Sequence, residues 1–465
     1  MVKPTESKAP RSFRARLISG GLWAIAGKSL SACGSFIAFL IVSNSISSED
    51  TSTFVYCESA SIVCVLLATG GLHSVIVRVL RNWRHDFPQQ RILSFGRKIT
   101  AIYLGLFFVI ACCAVAICSL YKAAEMHQLS QHLVALILWT LLLGANQIVS
   151  EFLRGFENFR DAASMGGQNP GIFTLGVLLP ILLACSVTET MTIEIVFGSQ
   201  IFAMAFTLVF GLLRLRKTFS AHSKSDVPTV SSSENDLGVA AIFSEGMPNL
   251  FTQITTLGIT HSEILILGQM STGPEIAAYA GIKKLVQLTG APLLMINSAL
   301  PTFIADLVSQ KSLRRLEAIL QGSATLCFLP LLLVSMTFIA CPAWTIDLFF
   351  NPDYSVGIRC LQILSVGNIA AVASGSCGLL LMMSGNQRYA MLSGTIGAIV
   401  FVILAPGLTS AFGITGMALG VAFSTIIRSI ASATFARQRV GIWSVPTLSR
   451  TVLRKALQSI RSDKE

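Results

Sequence analysis

Apolar residues fall in long blocks separated by short polar stretches. Twelve blocks come close to the ~20 residues a helix needs to cross a hydrocarbon core about 30 Å thick. They run over 17–44, 51–79, 99–120, 130–150, 165–187, 191–213, 239–270, 275–303, 316–340, 356–383, 389–411 and 413–436. Each is predicted to be a membrane-spanning helix. Only the Phe412-Gly413 region separates the last two, so a sharp turn is expected there. The longest polar connection, Lys217 to Asp236, is rich in Ser, Thr and charge and reads as a linker. The expected layout is a basic N-terminus (1–16), a first set of six spans (17–213), a linker (214–238), a second set of six (239–436) and a basic tail (437–465).

Composition agrees: 53% of the chain is hydrophobic and 12% charged, against about 25% charged in a soluble domain. Met1 to Arg16 is polar, basic and leads straight into the first span, unlike a cleaved signal peptide. The charges are ordered. Of 34 Lys and Arg, five precede span 1, five lie between spans 2 and 3, two follow span 4, four follow or edge span 6, three follow span 8, one follows span 10 and seven are in the tail. The opposite loops hold only Lys122. The positive-inside rule then puts both termini in the cytoplasm. This asymmetry accounts for the net charge of +11 without a nucleic-acid partner. The tail residues Ser449 to Ile460 have an apolar and a basic face, which suits a helix lying on an anionic leaflet. The eleven cysteines lie almost all in apolar spans with no CxxC pair; they read as packing residues rather than metal ligands or disulfides.

Six cations remain. Arg78 and Arg428 are placed near cytoplasmic helix ends, where they can snorkel. Lys28, Lys283, Lys284 and Arg359 have no such excuse. Lys283 lies about 13 Å along a helix from Pro274, near the middle of the hydrocarbon core. A charge there needs water, a partner or a substrate. Glu58, His261 and Glu263 join this constellation. One reading is a set of structural ion pairs, such as Lys28 with Glu58 or Glu263 with Lys283. The other is a water-filled cationic cavity in which Lys28, Lys283, Lys284 and Arg359 attract an anion. Glu58, Glu263 and His261 would then carry a coupling proton or sodium ion, or hold the cations in place. Adjacent lysines point about 100° apart on a helix, so one of the two is expected to face the cavity centre.

The two sets of spans share a register. Leu40-Ile41-Val42 superposes on Leu265-Ile266-Leu267, Phe54 on Tyr279 and Glu58 on Lys283, as expected of an internal repeat. Glu58 and Lys283 are therefore predicted to face each other across a cleft. Gly20-Gly21, Gly27 and Gly34 allow close packing in span 1; Pro248 and Pro292 are predicted to kink spans 7 and 8. No GxSxG, HExxH, Walker A or strand-linked GxGxxG occurs, and every outer loop is short, so an enzyme is not expected. His127 and His132 are placed at the outer ends of spans 3 and 4 as interfacial residues.

Several stretches together resemble one family: the basic N-terminus entering Gly20-Gly21-Leu22-Trp23, the Ser48-Glu49-Asp50 turn, and Gly70-Gly71 closing span 2. Glu151 to Arg160 (EFLRGFENFR) follows span 4, and Ser384 to Tyr389 (SGNQRY) follows span 10. The chain resembles a polysaccharide (O-antigen type) flippase of the multidrug/oligosaccharidyl-lipid/polysaccharide exporter superfamily. The resemblance implies an all-α polytopic protein with 12 transmembrane helices in two six-helix bundles, forming a V-shaped central cavity that alternates between inward and outward states. It implies a bacterial inner-membrane location and a polyprenyl-diphosphate-linked glycan as substrate. Membrane lipids and other polysaccharide-assembly proteins would be its partners, with no cofactor beyond a coupling H+ or Na+. A cation-coupled multidrug antiporter and a membrane polysaccharide polymerase are the alternatives.

Overall fold

A computed structural model of the chain describes residues 13–82, 89–120, 131–167, 170–222, 238–255, 259–310 and 312–446. Lys122, His127, most of the linker (223–237) and the expected interfacial helix at Ser449–Ile460 lie outside the described residues. The described chain is helical throughout. In order come α1 (Phe13–Ser45), α2 (Ser48–Thr69), α3 (Leu72–Asn82), α4 (Gln89–Leu120), α5 (Leu133–Gly155), α6 (Phe159–Met165), α7 (Ile172–Val187) and α8 (Ile193–His222). Then follow α9 (Val239–Gln253), α10 (Ile259–Leu267), α11 (Gly273–Ser309), α12 (Leu313–Ala340), α13 (Pro342–Phe349), a 3-10 turn (Pro352–Gly357), α14 (Ile358–Ala373), α15 (Cys377–Met383) and α16 (Gln387–Val440). Among the described residues eight helical segments are long and apolar enough to cross a membrane, and α7 is a shorter apolar helix. In lipid a helix is favoured because it satisfies its own backbone hydrogen bonds. Side chains such as Phe108, Val109, Leu333 and Ile403 stay exposed on these helices, as a lipid-facing surface requires.

Glycine breaks one of the predicted spans. The block 51–79 is two helices. Gly70, at a left-handed φ of 52°, ends α2 by donating its N–H to the Leu67 carbonyl, and α3 turns away on an amphipathic face. The block 239–270 holds α9 and α10, with residues 256–258 outside the described ones, and α9 runs past Pro248 to Gln253. Pro292 sits inside an α11 that runs unbroken from Gly273 to Ser309.

The turn expected near Phe412-Gly413 is Gly413 itself, at φ 58° and ψ −139°, inside α16. The two arms of α16 fold back as a tight hairpin. A Cβ on Gly416 would lie 1.9 Å from the Leu408 carbonyl oxygen, and one on Gly420 would lie 2.8 Å from the Ala405 Cα. Farther from the turn, Ser432 Oγ donates to Ser393 Oγ at 2.9 Å.

The largest apolar cluster joins both halves of the sequence. It includes Phe54, Trp139 and Phe197 from the first half and Tyr279, Tyr354 and Phe401 from the second. Within the first half α1 packs on α7, α2 on α5, and α5 on α8; within the second α14 packs on α16 and α11 on α12. Across the halves α1 and α2 both lie against α11, α2 touches α10, and α3 meets α9. The α3–α9 contact is very close: a Cβ on Gly71 would stand 2.2 Å from the Gly246 carbonyl oxygen, and Arg78 pairs with Glu245 at 2.7 Å. Hereafter the basic end means the end of the helices carrying the Lys- and Arg-rich connections.

Candidate functional site

Between the two halves lies a cavity of about 1030 Å3. Its walls come from α1, α2, α9, α10, α11, α14, α15 and α16, and its charged lining is Glu58, His261, Lys283, Lys284, Arg388 and Arg428. Residues Ala32, Ser35 and Phe36 of α1 face it from one side and Asn297 and Asn368 from the other.

The repeat register brings α2 and α11 to the cavity in the same manner. Their first residues, Ser48 and Gly273, stand at the same offset as Phe54 and Tyr279, and both aromatic rings are buried. One turn farther the charged residues appear. Lys284 Nζ bonds Glu58 Oε2 at 2.7 Å across the α11–α2 contact and lies 4.8 Å above the Phe39 ring of α1. Lys283 Nζ is 3.0 Å from Glu263 Oε2 of α10 and also donates to the Thr260 carbonyl. Tyr279 donates its hydroxyl to the same carboxylate oxygen of Glu263 at 2.8 Å. Glu263 is 3% exposed, so its pairing with Lys283 and Tyr279 is what makes burial of a carboxylate tolerable.

The expected opposition of Glu58 and Lys283 therefore slips by one residue. Superposed positions share depth, but helices that cross present neighbouring faces to each other, and Lys284 is the one that meets Glu58. Both lysines line the cavity and both are paired; neither snorkels. Of the two sequence-suggested pairs, Lys283 with Glu263 is present, whereas Glu58 takes Lys284 instead of Lys28.

The remaining candidates are placed differently. His261 lines the cavity beside the lysines. Lys28 is exposed, one helical turn toward the basic end from Ala32 and two from Ser35, on the face that α1 presents to the cavity. It stands outside the enclosed wall. Arg359 is exposed on the first turn of α14, away from the cavity lining. The apolar block starts at 356 in the sequence and α14 at Ile358, so Arg359 sits on the first turn of the helix and outside the cavity wall.

Two cavity cations escaped the sequence reading. In the sequence Arg388 falls in the connection after span 10, and Arg428 near a helix end. Arg428 in fact lies roughly 18 Å from the end of α16 at Val440, and it lines the cavity. Counting from Gly413, rather than from the last apolar residue, would have placed it. Amide and hydroxyl pairs complete the wall: Asn368 Nδ2 donates to Thr289 Oγ1 at 2.8 Å, and Ser376 Oγ donates to Asn297 Oδ1 at 2.5 Å. Among the described residues no group of three or more His, Cys, Asp or Glu is placed to hold a metal ion.

A helical fold with a charged cavity between its two halves is shared with known transport proteins. A multidrug resistance transporter of the MATE family in the MOP superfamily, in an inward-facing conformation, is 13% identical, with a TM-score of 0.65 over 90% of this chain and 98% of that one. The lipid II flippase MurJ, in an inward closed conformation, is 12% identical, with a TM-score of 0.67 over 95% and 91%. A MOP superfamily transporter from Pyrococcus furiosus, described as having a binding pocket of reversed polarity, is 14% identical, with a TM-score of 0.61 over 92% and 95%. At these identities the likeness establishes the fold. No curated protein of similar sequence was found. The family model for polysaccharide biosynthesis proteins matches residues 17–305, and the chain belongs to that family. The resemblance drawn from its motifs is thereby borne out.

Proposed function

We propose that the chain is a secondary transporter, a flippase that moves a polyprenyl-diphosphate-linked oligosaccharide from the inner to the outer leaflet for surface polysaccharide biosynthesis. Residues 17–213 and 239–436 form two six-helix bundles in the bacterial inner membrane, with the basic end and both termini in the cytoplasm. The cavity between them alternates its opening between the two sides. The observation that carries this reading is the excess of cations on the cavity wall. Lys283, Lys284, Arg388 and Arg428 face it, against Glu58 alone among the carboxylates. An anionic headgroup is drawn into such a wall, whereas a cationic drug is repelled. Lys28, exposed on the approach along α1, adds to the attraction at the basic end. Glu58, Glu263 and His261 hold the cations or carry a coupling proton or sodium ion.

The second reading, a cation-coupled multidrug antiporter, is favoured by one feature, the buried carboxylate of Glu263. Its pairing with Lys283 and Tyr279 leaves it structurally occupied. A membrane polymerase has less support, since the solved proteins that share the fold are described as a multidrug transporter and a lipid II flippase.

The test uses cells that depend on this gene for a surface polysaccharide. Deletion is expected to accumulate lipid-linked repeat units on the inner leaflet. Drug sensitivity with normal polysaccharide would instead favour the antiporter, and single repeat units on the outer surface the polymerase. Joint Lys283→Ala and Lys284→Ala substitution is expected to abolish export while the protein still reaches the membrane. Normal polysaccharide from that double variant would remove the cavity from the mechanism.

A further inference from the structure

We infer that Arg428 is the anchor for the substrate's oxyanion, with Arg388 standing at the basic end of the path leading to it. This deepens the transport reading above and rests on it for the substrate class.

The cations of the cavity are not equivalent. Lys283 is neutralised by Glu263 and additionally bonded to the Thr260 carbonyl. Lys284 is neutralised by Glu58 and covered by the Phe39 ring. Neither has a full charge to offer until its pair opens. Arg428 makes no hydrogen bond or ion pair with any described residue, and the same is true of Arg388. Yet Arg428 is only partly exposed and its side chain lines the cavity. A guanidinium cannot shed its charge by deprotonation, so an unpaired one inside the hydrocarbon zone is costly unless an anion completes it.

The backbone around Arg428 is shaped to hold its stem. Gly397, on the opposite arm of the α16 hairpin, leaves room for it. A Cβ on Gly397 would fall 2.9 Å from Arg428 Cβ and 3.4 Å from its Cγ and Cδ. The stem thus lies in a glycine notch between two arms that approach closely, with buried Ser429 as its chain neighbour. Such a stem is preorganised, and a guanidinium so held offers a planar fork that matches two oxygens of one phosphate or carboxylate.

Depth orders the three tiers. Measured at about 1.5 Å per residue, Lys284 stands roughly 17 Å from the start of α11, Arg428 roughly 22 Å from the Gly413 turn and Arg388 roughly 37 Å from it. An anion entering from the basic end meets Arg388 first and Arg428 next, and reaches the Lys284–Glu58 pair last. The shared ligand chemistry is an oxyanion with two coplanar acceptors. A polyprenyl diphosphate carries it on the carrier, and an acidic sugar carries it as a carboxylate.

The experiment measures binding to the full-length protein reconstituted in nanodiscs. Four probes are used: undecaprenyl diphosphate without sugar, neutral undecaprenol, an oligogalacturonide without a lipid carrier, and the organic cation tetraphenylphosphonium. Undecaprenyl diphosphate is expected to bind the wild type at least tenfold more tightly than undecaprenol. Arg428→Gln is expected to lose at least tenfold of that affinity. Arg428→Lys keeps the charge without the fork and should lose several-fold. Gly397→Val crowds the stem while retaining the arginine and should also weaken binding. Arg216→Gln, an exposed arginine outside the cavity, is expected to bind as the wild type does, and a monodisperse elution profile with an unchanged thermal midpoint certifies each variant as folded. Should the oligogalacturonide bind in place of the diphosphate, and Arg428→Gln abolish that binding, the oxyanion site stands with the sugar as its source. Diphosphate binding that survives Arg428→Gln in full would overturn the anchor while leaving the transport reading intact. A wild type that binds an organic cation and none of the anionic probes would overturn both.

Discussion

Helices α2 and α11 begin alike and then diverge, and the divergence is instructive. Each is capped three residues from its first-turn acid, at matching positions of the repeat. In α2 the Ser47 hydroxyl accepts from the Asp50 N–H at 3.1 Å. In α11 the reverse half of the same motif is used: the Thr272 N–H donates to Glu275 Oε2 at 3.0 Å. Each then buries one aromatic ring, Phe54 or Tyr279. At the next matching position α2 has Glu58 and α11 has Lys283. The shared pattern governs backbone geometry and depth in the membrane. The unshared residues govern charge: Lys284, whose counterpart in α2 is the uncharged Ser59, makes the contact between the halves an ion pair.

The comparison extends to the two pairs themselves, Lys283–Glu263 within the second half and Lys284–Glu58 between halves. They differ in burial: the side chains are 12% and 4% exposed in the first, 24% and 25% in the second. The larger effect is therefore expected at the first. Glu263→Ala leaves Lys283 buried without its carboxylate and should cost about 3–5 kcal/mol. Joining it to Lys283→Met removes the stranded charge and should restore most of that loss. The thermal midpoint of purified protein and its abundance in the membrane read both. A double variant as unstable as the single one would show that the pair is not the reason for the loss.

Gly71→Ala tests the other contact between the halves. The new methyl group meets the Gly246 carbonyl, and the residue must hold a φ of 74°. The conformation alone costs about 1–2 kcal/mol, and the contact between α3 and α9 has to separate. Cysteine pairs across α3 and α9 should crosslink less readily in the variant; undiminished crosslinking would mean that the glycine is dispensable for this approach. Glu58→Gln, at the more exposed pair, is expected to cost only about 1 kcal/mol in stability, while freeing Lys284 toward the cavity. A loss as large as that from Glu263→Ala would break the distinction between the two pairs.

Much of this was legible from the chain alone. Apolar block length located most of the membrane helices, because lipid demands long uninterrupted helices. The repeat register located the depth of Glu58 and Lys283. Partner choice was not legible, since it depends on how α2 and α11 cross, and that is decided by packing far from either charge. Arg428 was missed for a related reason. Its immediate neighbours in sequence, Ile426, Ile427 and Ile430, resemble those of any residue near a helix end, and only the fold-back at Gly413 shows how far it lies from Val440. Arg359 shows the reverse: its apolar block groups it with the cavity cations, but its place on the first turn of α14 leaves it off the cavity wall.

The smallest expected effect returns to the caps and separates the two halves of the motif. Ser47→Ala removes the acceptor of the Asp50 N–H and should cost about 1 kcal/mol. Thr272→Ala should cost far less, because α11 uses the backbone N–H of that residue and not its hydroxyl. Glu275→Ala should take the part that Ser47→Ala plays in α2. Amide exchange reads each bond directly. The Asp50 amide should exchange faster in Ser47→Ala, and the Thr272 amide faster in Glu275→Ala but not in Thr272→Ala. If Thr272→Ala matched Ser47→Ala in both stability and exchange, the two turns would be using the same half of the motif, and their difference would be confined to the charges one turn further on.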